Sequence, residues 1–174
     1  MAVLPIITAP DPRLKVACEP VAKVDATIAK LMDDMLDTMY LAPGIGLAAP
    51  QVGVTKRILV VDVSSKDGPR APLRMVNPEI VWRSEELAVY EEGCLSLPEQ
   101  YADVERPAKI RFRFLDETGT PQEHEAEGLL ATCIQHELDH LDGIIFVDHL
   151  SALKRRMILR KLTKLKKHQA LAGD

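Results

Sequence analysis

An α+β fold is what this sequence predicts, on three observations. Strand-forming runs at 57–63, 73–82 and 109–115 come as a group rather than alternating with helices. The segment 129–141 is too apolar to be a surface helix, with Leu129, Leu130, Cys133, Ile134, Leu138 and Leu141 spread round it. A basic, amphipathic stretch closes the chain. A parallel sheet would need a regular strand–helix repeat, which is missing. The expected architecture is therefore mixed or antiparallel sheets around a central helix, plus a C-terminal helix. At 174 residues, 1–174 is expected to be a single domain, long enough to bury a core.

Composition narrows the class. Hydrophobic content of 47% with 28% charged residues is that of a soluble globular protein, and no run is apolar enough to span a bilayer. The first residues, Met1 to Pro5, carry no basic region and no sustained apolar stretch, so no signal peptide is expected. Cys18, Cys94 and Cys133 are odd in number and widely spaced, which predicts a reducing cytoplasm rather than a disulfide framework.

In chain order, 1–24 reads as an irregular, proline-rich arm. Asp25 is placed to cap a helix over 26–40, whose Ile28, Leu31, Met32, Met35, Leu36 and Met39 recur at helical spacing. Pro43-Gly44 stops it. The glycine-rich stretch 44–53 follows a helix and precedes a strand, the reverse of a dinucleotide fingerprint, so nucleotide binding is rejected. It reads as a loop that something approaches closely, with Gln51 its one side chain able both to donate and to accept. Strands are expected at 57–63 and 73–82, the second broken at Asn77-Pro78, with an exposed loop at 64–72 between them. Residues 86–91 are extended, 109–115 alternates cleanly, 116–121 turns and 122–126 returns.

The chemistry sits at Gln135-His136-Glu137-Leu138-Asp139-His140. Histidines four apart on a helix share one face and can close on one metal ion. Glu137 lies about 100° further round, close enough to serve as a base beside that ion. This is the His-Glu-x-x-His arrangement of zinc hydrolases, with zinc endopeptidases among its owners. A catalytic ion needs a third protein ligand. Cys133 lies about 7.5 Å back along the helix axis from the point between the histidines, beyond a thiol's reach. Cys94, beside Gly93 in a strand or loop, has no such limit. A purely structural metal would need a fourth ligand, and no second suitable Cys or His lies near Cys94.

Three stretches, Gly44-Ile45-Gly46-Leu47-Ala48-Ala49-Pro50-Gln51, Glu92-Gly93-Cys94-Leu95-Ser96 and Gln135 to His140, together resemble the signature motifs of peptide deformylases of the bacterial type, in the same order. The resemblance implies an α+β fold and removal of the formyl group from the formyl-methionine of new polypeptides, releasing formate. It implies Cys94, His136 and His140 as ligands of one Fe(II) ion, which zinc, nickel or cobalt can replace. It makes Glu137 the base and then the acid, and Gln51 and the Leu95 N–H donors to the formyl oxygen. Ile45, Gly46 and Gly93 would bond the substrate backbone as an added strand. Behind the histidines, Cys133, Thr132 and Leu129 would form an apolar wall for the methionine side chain, completed by Tyr90 and Tyr101. Family members often carry an aliphatic residue in place of Tyr90 and a basic one in place of Tyr101.

The charge pattern bears on partners. From Lys154 onward there are eight basic residues and one acidic, +7, against 14 basic and 25 acidic before it, −11. Ser151 is placed to cap a helix over 151–171, with Leu153, Met157, Leu162 and Leu165 as its apolar stripe. Such a tail favours an anionic partner. Lacking interfacial aromatics, it is not expected to lie on a membrane. The resemblance points to the ribosome near the exit of the nascent chain, bound through Lys161, Lys164, Lys166 and Lys167.

Overall fold

A computed structural model describes residues 2–172. The arm is irregular apart from a single 3-10 turn, Pro12–Lys15, begun by the Asp11 carboxylate accepting from the Arg13 amide. Helix α1, Ala26–Leu41, starts where expected: the Asp25 carboxylate accepts from the Ile28 amide at 3.0 Å.

Strand β1, Gly46–Ala48, corrects the reading of 44–53 as a loop: its first half is an edge strand and Ala49–Val52 a 3-10 turn. Glycine and alanine hide the alternation that betrays a strand, so only the pairing of Leu47 with Val60 reveals it. Strands β2 (Ile58–Val61), β3 (Leu73–Arg83), β6 (Lys109–Leu115) and β7 (Pro121–Glu127) complete a sheet of order β1-β2-β3-β6-β7, antiparallel throughout. β3 is not broken at Asn77-Pro78. The register shifts there, and Asn77 takes a φ of 50° while its side chain exchanges hydrogen bonds with the Val21 backbone. A bulge bends the strand instead of ending it.

All four residues of β2 are buried, and their alternation sets the layers. Ile58 and Val60 pack with Met32, Met35, Leu36 and Met39 of α1. Leu59 and Val61 pack on the other face, with Ala131, Ile134, Leu138 and Leu141 of helix α2, Gly128–Leu141. On its far side α2 is crossed by a separate hairpin of β4 (Leu87–Cys94) and β5 (Leu97–Pro107). The helix is thus buried from both sides. Sequence reading stops β4 at 91 and misses β5, whose Glu99, Gln100, Asp103 and Glu105 look like loop.

Helix α3, Ala152–Ala172, is capped by Ser151, whose hydroxyl accepts from the Lys154 amide at 3.2 Å. Its packed face keeps the expected stripe only at Leu162 and the partly buried Leu165. Leu153 and Met157 are exposed, whereas Leu162 is buried with Ile158 and Leu159 against the cluster around Phe146. Among the described residues no helix is long and apolar enough to cross a membrane.

Candidate active site

The rings of His136 and His140 stand one turn apart on α2 with centroids at 5.1 Å. The end of β4 brings Cys94 to them, its Sγ 3.3 Å from His140 Nε2. The three ligand atoms all lie within 4.8 Å of one another, the one such cluster among the described residues. Cys133 is outside it, as the helix geometry required. Its Sγ donates to the Ile45 carbonyl at 3.5 Å, and burial pushes its thiol pKa well up.

Behind the cluster lies a charged network that sequence reading did not find. His136 Nδ1 donates to Glu92 Oε1 at 2.9 Å, which leaves its Nε2 facing Cys94 and His140. Arg106 of β5 grips Glu92 with two bonds, Nε to Oε2 at 2.7 Å and Nη2 to Oε1 at 2.9 Å. Its Nη1 donates to Asp139 at 2.8 Å, and His149 Nε2 donates to the same carboxylate oxygen at 2.7 Å. Arg106 and Glu92 are each only 5% exposed. The sequence held a faint signal for Glu92, which lies in the Cys94 stretch, and none for Arg106 or His149.

Gln51 is oriented by its neighbours. Its Oε1 accepts from the Ala48 amide at 2.8 Å, so its Nε2 must face the site, donating to Ser96 Oγ at 3.0 Å and lying 3.5 Å from Cys94 Sγ. Glu137 Oε1 stands 3.8 Å from His136 Nε2, while Oε2 is buried with no partner, as is His140 Nδ1. Burial pushes the Glu137 carboxyl up to about 7, partly offset by the nearby His136. One thiol and two imidazoles with an orphaned carboxylate beside them fit a divalent metal ion and a base.

A cleft of about 790 Å³ opens onto this centre. Ile45, Gly46, Gln51, Tyr90, Gly93, Cys94, Leu95, Tyr101, Leu129, Thr132, Cys133, His136 and Glu137 all line it. Of the residues named from sequence, His140 alone is not in its lining, and it joins through Cys94. Two glycines are there for want of space. A Cβ on Gly46 would sit 2.8 Å from Cys133 Sγ and 2.9 Å from Glu137 Cγ, and one on Gly93 would sit 2.5 Å from the Tyr101 ring.

Comparison with known proteins shows the family. The family model for polypeptide deformylase matches residues 3–156. A peptide deformylase of Mesorhizobium japonicum is 55% identical over 170 residues, covering 98% of this chain and 97% of its own. One of Alkalilimnicola ehrlichii is 59% identical over 165 residues, covering 95% and 92%. The crystal structure of peptide deformylase from Ehrlichia chaffeensis superposes with a TM-score of 0.92 at 42% identity, covering 97% of this chain and 99% of that one. The chain belongs to the peptide deformylase family, metal-dependent hydrolases that remove the N-formyl group from the formyl-methionine of nascent polypeptides.

Proposed function

We propose that this deformylase acts in the cytoplasm as one catalytic unit, with Cys94, His136 and His140 holding a single Fe(II) ion. Zinc, nickel or cobalt can take its place. The observation that carries the reading is the convergence of those three ligand atoms within 4.8 Å, with the unpartnered Glu137 carboxylate beside them. When bound, the ion supplies Lewis acidity to water and to the formyl group. Glu137 takes the proton from the attacking water and returns it to the leaving amine. Gln51 Nε2 and the Leu95 amide donate to the formyl oxygen as charge develops on it. Backbone groups of Ile45, Gly46 and Gly93 pair with the substrate as with an added strand. Tyr90, Leu129, Thr132 and Cys133, with Tyr101, enclose the methionine side chain.

Replacing the two cleft cysteines separates the ligand from the wall. Protein purified without oxygen is expected to carry about one iron per chain. Cys94→Ser should lose most of that iron and its formate release from formyl-Met-Ala-Ser, while Cys133→Ser keeps its metal. Metal analysis showing the reverse would overturn the ligand set.

The basic face of α3 supports ribosome binding as the route to the nascent chain. Lys161, Lys164 and Lys167 are exposed, whereas Lys166 donates to the Thr8 carbonyl at 3.2 Å and so also ties the helix to the arm. Changing the other three lysines to Glu, with Lys166 left in place, should abolish co-sedimentation with ribosomes at low salt. Undiminished co-sedimentation would reduce α3 to a packing helix.

A further inference from the structure

We propose that a second cavity, behind α2, binds a small zwitterion with an apolar body, a free amino acid or dipeptide, and that its occupant steadies His136 from the rear. The site goes beyond the deformylase reading, since it shares no residue with the cleft. Its volume is about 350 Å³, near the small end of ligand sites. It lies between β3, β5 and α2, on the side of the helix that carries Leu138 and Asp139, whereas Thr132, Cys133, His136 and Glu137 line the cleft. Pro78, Ile80, Pro107 and Leu138 give it an apolar surface, with Ile80 packed on the cluster that holds Leu138. Most of the charges around them are already matched. Arg57 pairs with Asp142, Glu79 with Arg113, and Asp139 with both Arg106 and His149. Two are left over. Arg83 of β3 and Glu105 of β5 both line the cavity, both are exposed, and neither has an ion-pair partner among the described residues. They do not pair with each other, so a free cation and a free anion stand on different walls of one apolar space. A ligand of single charge uses only one of them. A carboxylate on Arg83 with an ammonium on Glu105 uses both, and an apolar side chain between them covers the rest.

The link to the metal site runs through Arg106. Arg106 and Asp139 both line the cavity, and the same guanidinium holds the Glu92 carboxylate that accepts from His136 Nδ1. Water entering an empty cavity competes for the Arg106–Asp139 bond. An apolar occupant excludes that water and strengthens the bond. A fixed Arg106 fixes Glu92, and Glu92 keeps the His136 ring turned toward Cys94 and His140. The occupant therefore favours metal retention, and by linkage the metal favours the occupant.

Methyl NMR of the zinc-loaded protein, titrated with L-leucine and with leucyl-leucine, tests the site. At least one of the two should saturate with a Kd on the order of 1 mM, shifting the methyls of Ile80 and Leu138 and sparing those of Leu95 and Leu129 in the cleft. Leucinamide lacks the carboxylate and N-acetyl-leucine the ammonium, and each should bind about tenfold more weakly. Arg83→Gln or Glu105→Gln should weaken the zwitterion by a similar factor. Arg111→Gln, which removes an exposed arginine already paired with Glu125, should leave its affinity unchanged. In saturating ligand the wild type should hold zinc against a chelator about fivefold more tightly. Arg83→Gln in the same ligand, a control for zinc drawn off by the ligand itself, should show no such gain. Shifts confined to the cleft, saturation by neither probe, or leucinamide and N-acetyl-leucine binding as well as leucine, overturns the site. Saturation with unchanged zinc affinity overturns its link to His136. The deformylase reading stands or falls separately, on formate release from formyl-Met-Ala-Ser.

Discussion

Glu137→Gln is expected to keep its metal and lose deformylation by roughly 10²- to 10⁴-fold, the span typical of removing a positioned base. The substitution is nearly isosteric, and the three ligand atoms do not include Glu137. What it removes is the proposed proton acceptor. Glu137 Oε1 lies 3.8 Å from His136 Nε2, and Oε2 has no protein partner to hold it, so the carboxylate is free to trade a proton with the reacting water and amine. Gly46, where a Cβ would sit 2.9 Å from its Cγ, leaves just the room this side chain fills, and an amide of the same shape fits there too. Metal analysis and single-turnover formate release on the same sample decide the matter. Turnover near the wild-type rate in a fully loaded variant would remove Glu137 from the chemistry.

Arg106→Met should destabilise the fold by about 3–5 kcal/mol, because it leaves a buried carboxylate without its counter-charge. Arg106 makes three bonds from the floor of the β4–β5 hairpin, two to Glu92 and one to Asp139. With the guanidinium gone, Glu92 keeps only His136 as a close partner. For a chain of this size the loss corresponds to a fall of roughly 10 °C in Tm. Adding Glu92→Leu to the variant should recover much of that stability, since no charge is then buried. It should still release metal faster than the wild type, because nothing orients the His136 ring. Calorimetry and metal-release rates on the two variants test these expectations. A Tm within about 2 °C of wild type for Arg106→Met would mean the network contributes little.

The contrast between Glu137 and Arg106 marks how far sequence reaches. Glu137 could be read as a candidate base because its neighbours in the chain are its neighbours in space: His136, Glu137 and His140 are set by helical geometry alone. The same local rule excluded Cys133 and left Cys94. Strand alternation likewise gave β6, where burial of one face imprints a period of two, and β2 showed as an unbroken apolar, β-branched run. Asp25 and Ser151 capped the helices they were expected to cap, through bonds spanning three residues.

Everything that failed depended on contacts distant in sequence. β5 was missed because its outer face is bare to solvent and carries acids, so the pattern of a half-buried strand is diluted. α3 turned to the body only part of the face its apolar spacing suggested, since the docking surface around Phe146 and Leu97 comes from elsewhere in the chain. Arg106 looked like one more charge in an acidic stretch. Its partners are 14 residues before it and 33 after it, and they meet only once the hairpin lies across α2. By itself the sequence determined the helix that carries the two histidines, singled out the thiol that the structure brings to them, and identified the family. The tertiary structure decided which charges are buried behind them. Burial of a charge is a property of the surfaces that close over it, and those surfaces come together only when distant segments pack.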